Sequence, residues 1–417
     1  MTKTPKTMTA AEALNHVQSG MTVAFPHLSA EPTALTNALW DRADTLSDLT
    51  VISGMLLSGY GFLSRPCAKN IRFKTWFLPG TLLRKTAPDV QAEYLPMTWA
   101  QTARYLDDST FDVGLIHVSP ADADGYHSFG VCCTAAKGIA NSSTYLIAQV
   151  NPNMPRTLGD SRIHASQIDA LVEAEEPLAE YPNRPLDDVD ATIGRQIGDL
   201  IPDGAALSLG VGGIPLAAAQ ALMDRGARDL RFINTFTDPT MALIKAGCAT
   251  AENPKAHTGD IFGSKDLYDW VADNDAIALA SALTTHRPED FVARKNVVSV
   301  NSALEIDLMG QVNAETIGGK QTGSMGGLID FAVGGQVEGG QFILGLRSQT
   351  NKGRPRIVTR LDGDIVSLSR TFVETVVTEF GVADLRGKTV HERALALAEI
   401  AHPDDRDALR AHAATLH

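Results

Sequence analysis

The feature that most constrains the fold is a glycine-rich stretch, Gly204–Asp238, near the middle of the chain. Its apolar run, Ala205–Leu209, has the length of a buried strand, and a turn with three glycines follows. We predict a helix just after Pro215, because proline at a helix start costs no intrahelical hydrogen bond. Glycines let the backbone approach a ligand, and the free N–H groups of a helix start suit a phosphate or an oxyanion. The predicted ligand-binding residues of this turn are Gly210, Gly212 and Gly213.

A second apolar run, Leu230–Ile233, leads directly to Asn234. In a parallel sheet the carboxyl ends of neighbouring strands meet at one edge, and ligands bind beyond that edge. We therefore expect Asn234 to lie at the same end of the sheet as the glycine turn.

The same order of elements occurs near the start of the chain. Residues Thr9–Ser19 are predicted to form a helix that Gly20 ends. A strand, Met21–Phe25, a loop and a second helix from Pro32 to Leu39 follow. This order matches helix, glycine, strand, loop and proline-started helix around the central glycine turn.

Two pairs of landmarks support a repeat. Pro32 and Gly125 are 93 positions apart, and Pro215 and Gly310 are 95 positions apart. Gly125 lies in a predicted turn after a strand at Val113–Val118, and Gly310 lies in a similar turn. The near-equal spacing predicts an α/β fold with two tandem related open domains, each with a mainly parallel sheet covered by helices.

An acidic, proline-rich segment, Ala174–Asp190, has the composition of a solvated linker. It divides the chain into predicted domains at residues 1–185 and 186–417, with most of the active site in the second. The elements predicted beyond it are helices around Ile197, at Pro239–Ala246 and at Lys265–Ala272, strands at Val297–Val300, Gln341–Leu346, Ile365–Ser369 and Glu374–Thr378, and helices that begin near Thr389 and Pro403.

The composition excludes several classes of protein. The chain has 417 residues, 44% of them hydrophobic, and a formal charge of −13, which argues against nucleic acid or a membrane surface as a partner. It contains four cysteines without a CxxC spacing, which are expected to be reduced thiols in a cytoplasmic protein. His117 and His127 have no partners at ligand spacing, so no metal is expected.

Several other segments carry residues suited to chemistry. The loop Gly323–Gly327, which includes Met325, Gly326 and Gly327, is expected either to hold an oxyanion with its N–H groups or to form a tight turn. The other candidates are two carboxylates, an amide and a cation that follow apolar runs or lie in a loop. These are Glu305, Glu379, Asn301 and Lys352. The alternative for Glu305 is an exposed acid on an edge strand, and for Lys352 a solvated loop residue.

Longer motifs follow one another along nearly the whole chain. They are Asn151–Arg156 with Gly159–Ser161, Ile168-Asp169, Glu176–Leu178, Leu209–Pro215, Asn301–Asp307 with Gly310–Asn313, Gly326-Gly327 to Asp330-Phe331, Val377–Glu379, Ala383–Gly387 and Ala401–Pro403. In these motifs the chain resembles the acetyl-CoA hydrolase/transferase family, coenzyme A transferases such as the 4-hydroxybutyrate and succinate:acetate enzymes. The resemblance implies their two-domain α/β fold, coenzyme A in the form of an acyl-CoA substrate, and a homodimer.

The resemblance also exposes a departure from the family. In that family a glutamate attacks the acyl-CoA thioester and passes through an acyl-glutamyl anhydride to a glutamyl-CoA thioester. Asn234 stands at the matching position, and no glutamate occurs between Glu180 and Glu252. A carboxamide is a far poorer nucleophile than a carboxylate and cannot form the anhydride. The segment between Gly259 and Lys265 is also shorter than its counterpart in the family.

Three hypotheses remain open. The first is an enzyme that transfers or cleaves the acyl group of an acyl-CoA without the glutamate. Transfer would go to a carboxylate or another acceptor. Both hydrolysis and direct transfer would need a base, and Glu379 or Glu305 could activate water or the second substrate. Ordinary transfer would require Glu305 to reach the thioester instead. The second hypothesis is a non-catalytic acyl-CoA-binding protein, and the third is a different phosphorylated ligand. Phe236, Met325 and Phe262 are either an apolar wall for the acyl group or core residues.

Overall fold

The computed structural model describes residues 4–65, 69–78, 91–181 and 185–416. Cys67, one of the four cysteines, lies outside these residues. The strands are β1 (Lys6–Thr7), β2 (Thr22–Ala24), β3 (Leu49–Ser53), β4 (Ile71–Thr75), β5 (Gln91–Tyr94), β6 (Phe111–Val118), β7 (Tyr126–Ser128), β8 (Ser143–Val150), β9 (Leu158–Gly159), β10 (Arg162–His164), β11 (Ala170–Glu173), β12 (Ala206–Leu209), β13 (Arg231–Phe236), β14 (Ala256–Ile261), β15 (Ile277–Leu279), β16 (Val297–Ser302), β17 (Glu305–Asp307), β18 (Val312–Asn313), β19 (Thr316–Ile317), β20 (Lys320–Gln321), β21 (Gln341–Gly345), β22 (Ile357–Val358), β23 (Thr375–Thr378) and β24 (Gly381–Asp384).

Thirteen α-helices separate these strands within the described ranges. They are α1 (Ala10–Leu14), α2 (Thr33–Arg42), α3 (Trp99–Asp108), α4 (Cys133–Ser142), α5 (Asp188–Leu200), α6 (Gly213–Asp224), α7 (Asp238–Lys245), α8 (Lys265–Val271), α9 (Ala282–Thr285), α10 (Pro288–Arg294), α11 (Leu328–Gly334), α12 (Val390–Glu399) and α13 (Pro403–Ala413). Threonine caps start three of them. Thr9, Thr98 and Thr389 each accept from the N–H group three residues on, within a capping box.

The chain divides into two units. The first unit contains Met1–Pro182 and Ala256–Thr285, and the second contains Asn183–Lys255 and His286–His417. The sequence-based domain boundary between residues 185 and 186 stays a prediction.

The first unit is built on an eight-stranded sheet with the order β1-β11-β8-β6-β2-β3-β4-β5. Every neighbouring pair in this sheet is parallel. Its core contains aliphatic and aromatic side chains from the sheet and from α1 and α2, among them Leu14, Phe25, Leu35 and Phe73. Strands buried on both faces explain the apolar runs at Met21–Phe25 and Val113–Val118.

In the second unit the main strands have the order β24-β23-β21-β16-β12-β13. All pairs from β23 to β13 are parallel, and only β24 runs antiparallel to its neighbour. The core includes Ile306, Phe342, Leu344 and Val376. The predicted mainly parallel α/β architecture is therefore confirmed.

The repeat is confirmed in the topology of the two units. The order β8-β6-β2-β3 in the first unit matches β21-β16-β12-β13 in the second. In each set of four strands, the strand that comes first in sequence is followed by a loop and a helix. These are β2 with α2, and β12 with α6.

Three local predictions were wrong. The helix expected over Thr9–Ser19 spans only Ala10–Leu14, and Asn15 rather than Gly20 ends it. The helix expected after Pro215 begins at Gly213, because the glycine turn is shorter than expected and proline fits within the first helical turn. The strand expected at Ile365–Ser369 does not form, and within that described segment only Leu368 makes an isolated bridge, to Val312. Its apolar residues Ile365 and Val366 are exposed, so no second face buries them.

None of the helices in the described part of the chain combines the length and apolar character needed to cross a bilayer.

Candidate active site

The candidate site lies at the carboxyl edge of the parallel sheet in the second unit. Leu209 at the end of β12 is paired with Val300 of β16, and Val300 is paired with Ile343 of β21. Because these strands are parallel, their last residues and the following loops lie along one edge. Asn234 of β13, the glycine turn after β12, Asn301 of β16 and Glu379 after β23 all belong to this edge.

Asn234 has an unusual backbone. Its φ angle is +80°, whereas residues other than glycine rarely adopt positive φ angles. Such a conformation costs about 1–3 kcal/mol and persists where the surroundings hold it, often at functional sites. Asn234 is also half-buried, while Ile233 before it lies in the core. The strand therefore holds this carboxamide in a backbone conformation that few residues other than glycine and asparagine adopt.

The Asn234 carboxamide is fixed at both ends. Its Nδ2 donates to Oγ of Ser208 on β12 at 3.2 Å. Its Oδ1 lies 3.1 Å from Nε2 of His286, which fits a tautomer in which the imidazole donates. Ser208 and His286 are both buried, whereas Asn234 itself is half-buried.

His286 is held in place by aromatic rings. Its ring meets Phe331 edge-on at a centroid distance of 5.0 Å, and Phe291 lies 6.5 Å away. A Cβ atom added at Gly327 would lie 3.7 Å from His286 Nε2, so the second glycine loop passes close to the imidazole. This contact joins the Gly326-Gly327 turn to the surroundings of Asn234.

The two glycine segments, Gly210–Gly213 and Gly326-Gly327, differ in backbone conformation and in burial. Gly212 is the cap residue of α6, with φ +114° and ψ −174°, a conformation that is essentially restricted to glycine. Gly213 is the buried first residue of the helix, and the Gly210 N–H donates to Val300 O at 3.1 Å. Gly327 is the cap residue of α11, and Gly326 before it has φ +50°.

Met325, Asn301 and Lys352 have different surroundings. Met325 is half-buried and packs against the core of the second unit. The Asn301 side chain donates to Ser299 Oγ within the same strand. Lys352 is exposed in a turn between β21 and β22.

The two candidate bases have strong partners of their own. Glu305 on β17 is buried and forms an ion pair with Arg354. Glu379 accepts from the N–H and the hydroxyl of Ser348 at 2.9 and 2.6 Å. Glu379 follows β23, which is four strands from β13, or about 19 Å at the usual strand spacing.

The comparisons with known proteins agree with this architecture. Residues 3–180 match the N-terminal domain model of the acetyl-CoA hydrolase/transferase family, and residues 263–413 match its C-terminal domain model. The 4-hydroxybutyrate coenzyme A transferase of Clostridium kluyveri is 37% identical over 414 residues, with 97% of this chain and 96% of the relative covered. The chain belongs to the acetyl-CoA hydrolase/transferase family. It is an enzyme of that family, whose members act on CoA thioesters.

Two solved structures show the same fold. RipA from Yersinia pestis has a TM-score of 0.89 at 32% identity, with 99% of this chain and 97% of that chain covered. The 4-hydroxybutyrate CoA-transferase from Porphyromonas gingivalis has a TM-score of 0.81 at 31% identity, with 98% and 97% covered.

Sequence reasoning missed Ser208 and His286. Ser208 lies inside an apolar strand, where a hydroxyl gives no signal. His286 lies in a short segment between α9 and α10 and is 52 residues from Asn234. No motif spacing marks either residue, and only the folded chain brings them to the carboxamide.

Proposed function

We propose that this enzyme moves an acyl group at a coenzyme A thioester without a covalent enzyme intermediate. A carboxylate acceptor attacks the thioester carbonyl directly, so that CoA leaves as the thiolate and a mixed anhydride of the two acyl groups stays bound. The thiolate then attacks the acceptor-derived carbonyl of this anhydride, which forms the new CoA thioester and releases the original acyl group as a carboxylate. With another nucleophile as the acceptor, the first step alone completes the transfer. The observation that carries the proposal is Asn234, a carboxamide at the strained position on β13, held between Ser208 and His286.

A carboxamide has a different use from a carboxylate at this position. It cannot form an anhydride with the acyl group, but its N–H can donate to the oxyanion that develops on the carbonyl oxygen. The hydrogen bond from Asn234 Nδ2 to Ser208 uses one of the two amide hydrogens, which leaves the second for substrate. We assign Asn234 as an oxyanion donor rather than a nucleophile.

The glycine turns supply the remaining binding groups in this proposal. The α6 start, with Gly212 as a cap without a side chain, offers backbone N–H groups to phosphate or to the thioester oxygen. The Gly326-Gly327 turn, close to His286, offers a second set of N–H groups. Both sets belong to the second unit.

The acceptor determines whether a base is needed. A carboxylate acceptor is already charged and attacks without proton transfer, whereas water requires a base. β16, whose end precedes Glu305 by three residues, lies two strands from β13, whereas β23, which precedes Glu379, lies four strands from it. We propose direct transfer to a carboxylate as the main reaction.

Steady-state kinetics with a panel of short acyl-CoAs and carboxylate acceptors tests this proposal. We expect acyl exchange only when both substrates are present, with the intersecting double-reciprocal lines of a sequential reaction. A ping-pong reaction through an acyl-enzyme gives parallel lines. Parallel lines for the unmodified enzyme would contradict the proposal.

Two other outcomes would assign a different function. Release of free thiol without an acceptor would identify a hydrolase, and Glu305→Gln and Glu379→Gln would then identify the base. Binding of acyl-CoA without turnover for any acceptor would identify a non-catalytic acyl-CoA-binding protein.

We further propose that the protein is a cytoplasmic homodimer. The buried, unpaired thiols Cys132, Cys133 and Cys248 support a reducing compartment. Sedimentation equilibrium tests the homodimer and should give the mass of two chains.

A further inference from the structure

Three side chains that the proposed reaction does not use converge in the first unit. They are His27, Cys132 and Asp260. One imidazole nitrogen, the thiol sulfur and one carboxylate oxygen all lie within 4.8 Å of one another, and all three residues are buried. We call this group the His27 cluster. Its members are 105 and 128 positions apart in sequence, so no motif spacing reveals them.

The backbone holds Cys132 and Asp260 together. They face each other in an isolated antiparallel bridge, and the Ile261 N–H donates to Val131 O at 2.7 Å beside it. The Asp260 N–H donates to Thr258 Oγ1 at 3.2 Å. The separation of the thiol and the carboxylate is therefore set by main-chain pairing rather than by two flexible side chains.

The loop after β2 places His27. The Leu28 N–H donates to Met55 O at 2.7 Å, and Leu28 has a φ of +55°. The His27 ring lies against Trp76 and Trp99, at centroid distances of 5.5 and 5.2 Å. The two indoles leave the imidazole little freedom to turn away from the cluster.

The polar atoms that face the centre of the cluster lack ordinary partners. Across the described ranges 4–65, 69–78, 91–181 and 185–416, neither His27 Nε2 nor Asp260 Oδ1 has a hydrogen-bond partner, although both are buried. Burial of such atoms is costly unless something satisfies them. Their separation is 3.6 Å, which is longer than a hydrogen bond.

That separation fits a metal ion between the two atoms. A tetrahedral zinc ion with ligand bonds of 2.0–2.1 Å separates its nitrogen and oxygen ligands by about 3.4 Å. Imidazole, thiolate and carboxylate are the three ligand types that Zn²⁺ accepts, and three protein ligands leave its fourth position open. A thiolate and a carboxylate together carry two negative charges, which a divalent ion neutralises.

We propose that the His27 cluster binds a divalent metal ion of the zinc type through His27 Nε2, Cys132 Sγ and the Asp260 carboxylate. The fourth position is open to water or a ligand oxygen. The sequence-based expectation of no metal considered His117 and His127, and neither belongs to this cluster. Without a metal, burial and the neighbouring Asp260 carboxylate raise the pKa of the Cys132 thiol well above its usual range. Metal binding therefore releases this proton.

Metal titration of the full-length protein tests the proposal. The protein is stripped with a chelator, and Zn²⁺ as its chloride is added in competition with a chromophoric chelator. We expect one zinc ion per chain. Co²⁺ in its place should give the near-ultraviolet charge-transfer band of a cobalt–thiolate bond.

Cysteine variants assign the ligand. Cys132→Ser should remove the cobalt–thiolate band and weaken zinc binding by at least about 100-fold, the upper range for the loss of an indirect contact to a metal. Cys248→Ser is the matched control, since Cys248 is a buried thiol in the second unit. It should keep both the band and the affinity.

Asp260→Asn and His27→Gln keep the test valid if Cys132→Ser does not fold. Each is checked by circular dichroism before titration, and each should lose zinc affinity while keeping the secondary structure. Zinc binding that Cys132→Ser and Asp260→Asn both leave unchanged would overturn the proposal. So would failure of the folded, unmodified protein to bind either metal, or a cobalt complex without the thiolate band.

Discussion

The two strand–loop–helix segments of the repeat, β2 to α2 and β12 to α6, have the same topology, but their loops differ in burial and in side-chain content. The loop between β2 and α2 is buried along its whole length and is filled with side chains, including His27 and Glu31. The turn between β12 and α6 is largely open and has almost no side chains, since Gly210 is half-buried and Gly212 is exposed. One copy of the segment thus has a closed polar interior, and the other has a turn whose glycines are half-buried or exposed.

The hydrogen bonds explain why the first copy is closed. Glu31 accepts from Ser58 at 2.6 Å and Thr36 at 3.1 Å, yet burial raises the pKa of its carboxyl group. His117 Nδ1 donates to Glu31 O at 3.1 Å, and its Nε2 accepts from Asn151 at 3.0 Å. This polar network fills the first loop with hydrogen-bonded side chains, whereas Gly210 and Gly212 contribute none to the second.

The largest expected effect is on the free energy of unfolding, which should depend on pH because of the buried polar network of the first copy, β2 to α2. Burial lowers the pKa of His117 to about 4 from 6.5, because the buried site disfavours the charged imidazolium more than the hydrogen bond to Glu31 O stabilises it. The unfolded chain then binds more protons than the folded chain between these values, so stability falls as the pH drops from 6.5 to 4. The loss is of the order of 3 kcal/mol. Denaturant unfolding measured across this range should show it.

His117→Gln should remove most of this pH dependence, because the glutamine does not titrate. His412→Gln, a change on the terminal helix α13, is the control and should keep the wild-type slope. A wild-type slope in His117→Gln would show that the closed network does not hold the imidazole neutral.

The second expected effect is on the affinity for CoA and tests the glycine turn between β12 and α6. Gly212→Ala forces a side chain onto a backbone conformation that only glycine adopts readily, at a cost of about 1–3 kcal/mol. If the turn binds CoA, affinity should fall about 10- to 100-fold, as measured by calorimetry. Gly204→Ala is the matched control, since Gly204 also has a positive φ of +76° and open space around it but precedes β12, whereas Gly212 follows it. Equal losses of affinity in both variants would remove the glycine turn from the binding site.

A smaller effect, on kcat/KM, is expected for a change at Glu379, farther along the sheet edge from Asn234. Glu379→Gln should change kcat/KM for transfer to a carboxylate by less than about threefold, because this acceptor needs no base. Its position about four strand spacings from β13 supports the same result. A decrease of about 100-fold or more would identify Glu379 as a general base.

The smallest effect concerns Lys352. Its side chain is exposed in a turn, so Lys352→Ala should change the KM for acyl-CoA by less than about twofold at moderate salt. Lys295→Ala, an exposed lysine on another loop, is the control. A rise of fivefold or more for Lys352→Ala alone would place a CoA phosphate beside this turn.

The sequence predicted the large features of the molecule for physical reasons. Apolar runs of strand length, the glycine turn and the matched landmarks were sufficient for two related α/β halves. They also placed β12 and β13 side by side, with Asn234 near the glycine turn. These features depend on local periodicity and on the rule that parallel strands share an edge.

The features that the sequence did not predict depend on packing between segments that are distant in sequence. The apolar pair Ile365-Val366 predicted a strand, but the fold exposes both residues. Ser208 and His286 reach Asn234 from a neighbouring strand and from a distant loop, and the His27 cluster joins three segments. Positive φ at Asn234 also has no sequence signal, because asparagine tolerates but does not require it.

Intact-mass spectrometry of the enzyme mixed with acyl-CoA tests the central claim most directly. The unmodified protein should carry no CoA adduct at any time of mixing, because Asn234 cannot form an acyl anhydride or a thioester. Asn234→Glu places a carboxylate between Ser208 and His286 and should gain an adduct of one CoA per chain. Asn234→Gln, with a longer carboxamide, is the matched control without one. A CoA adduct on the unmodified protein, released by hydroxylamine, would contradict the account.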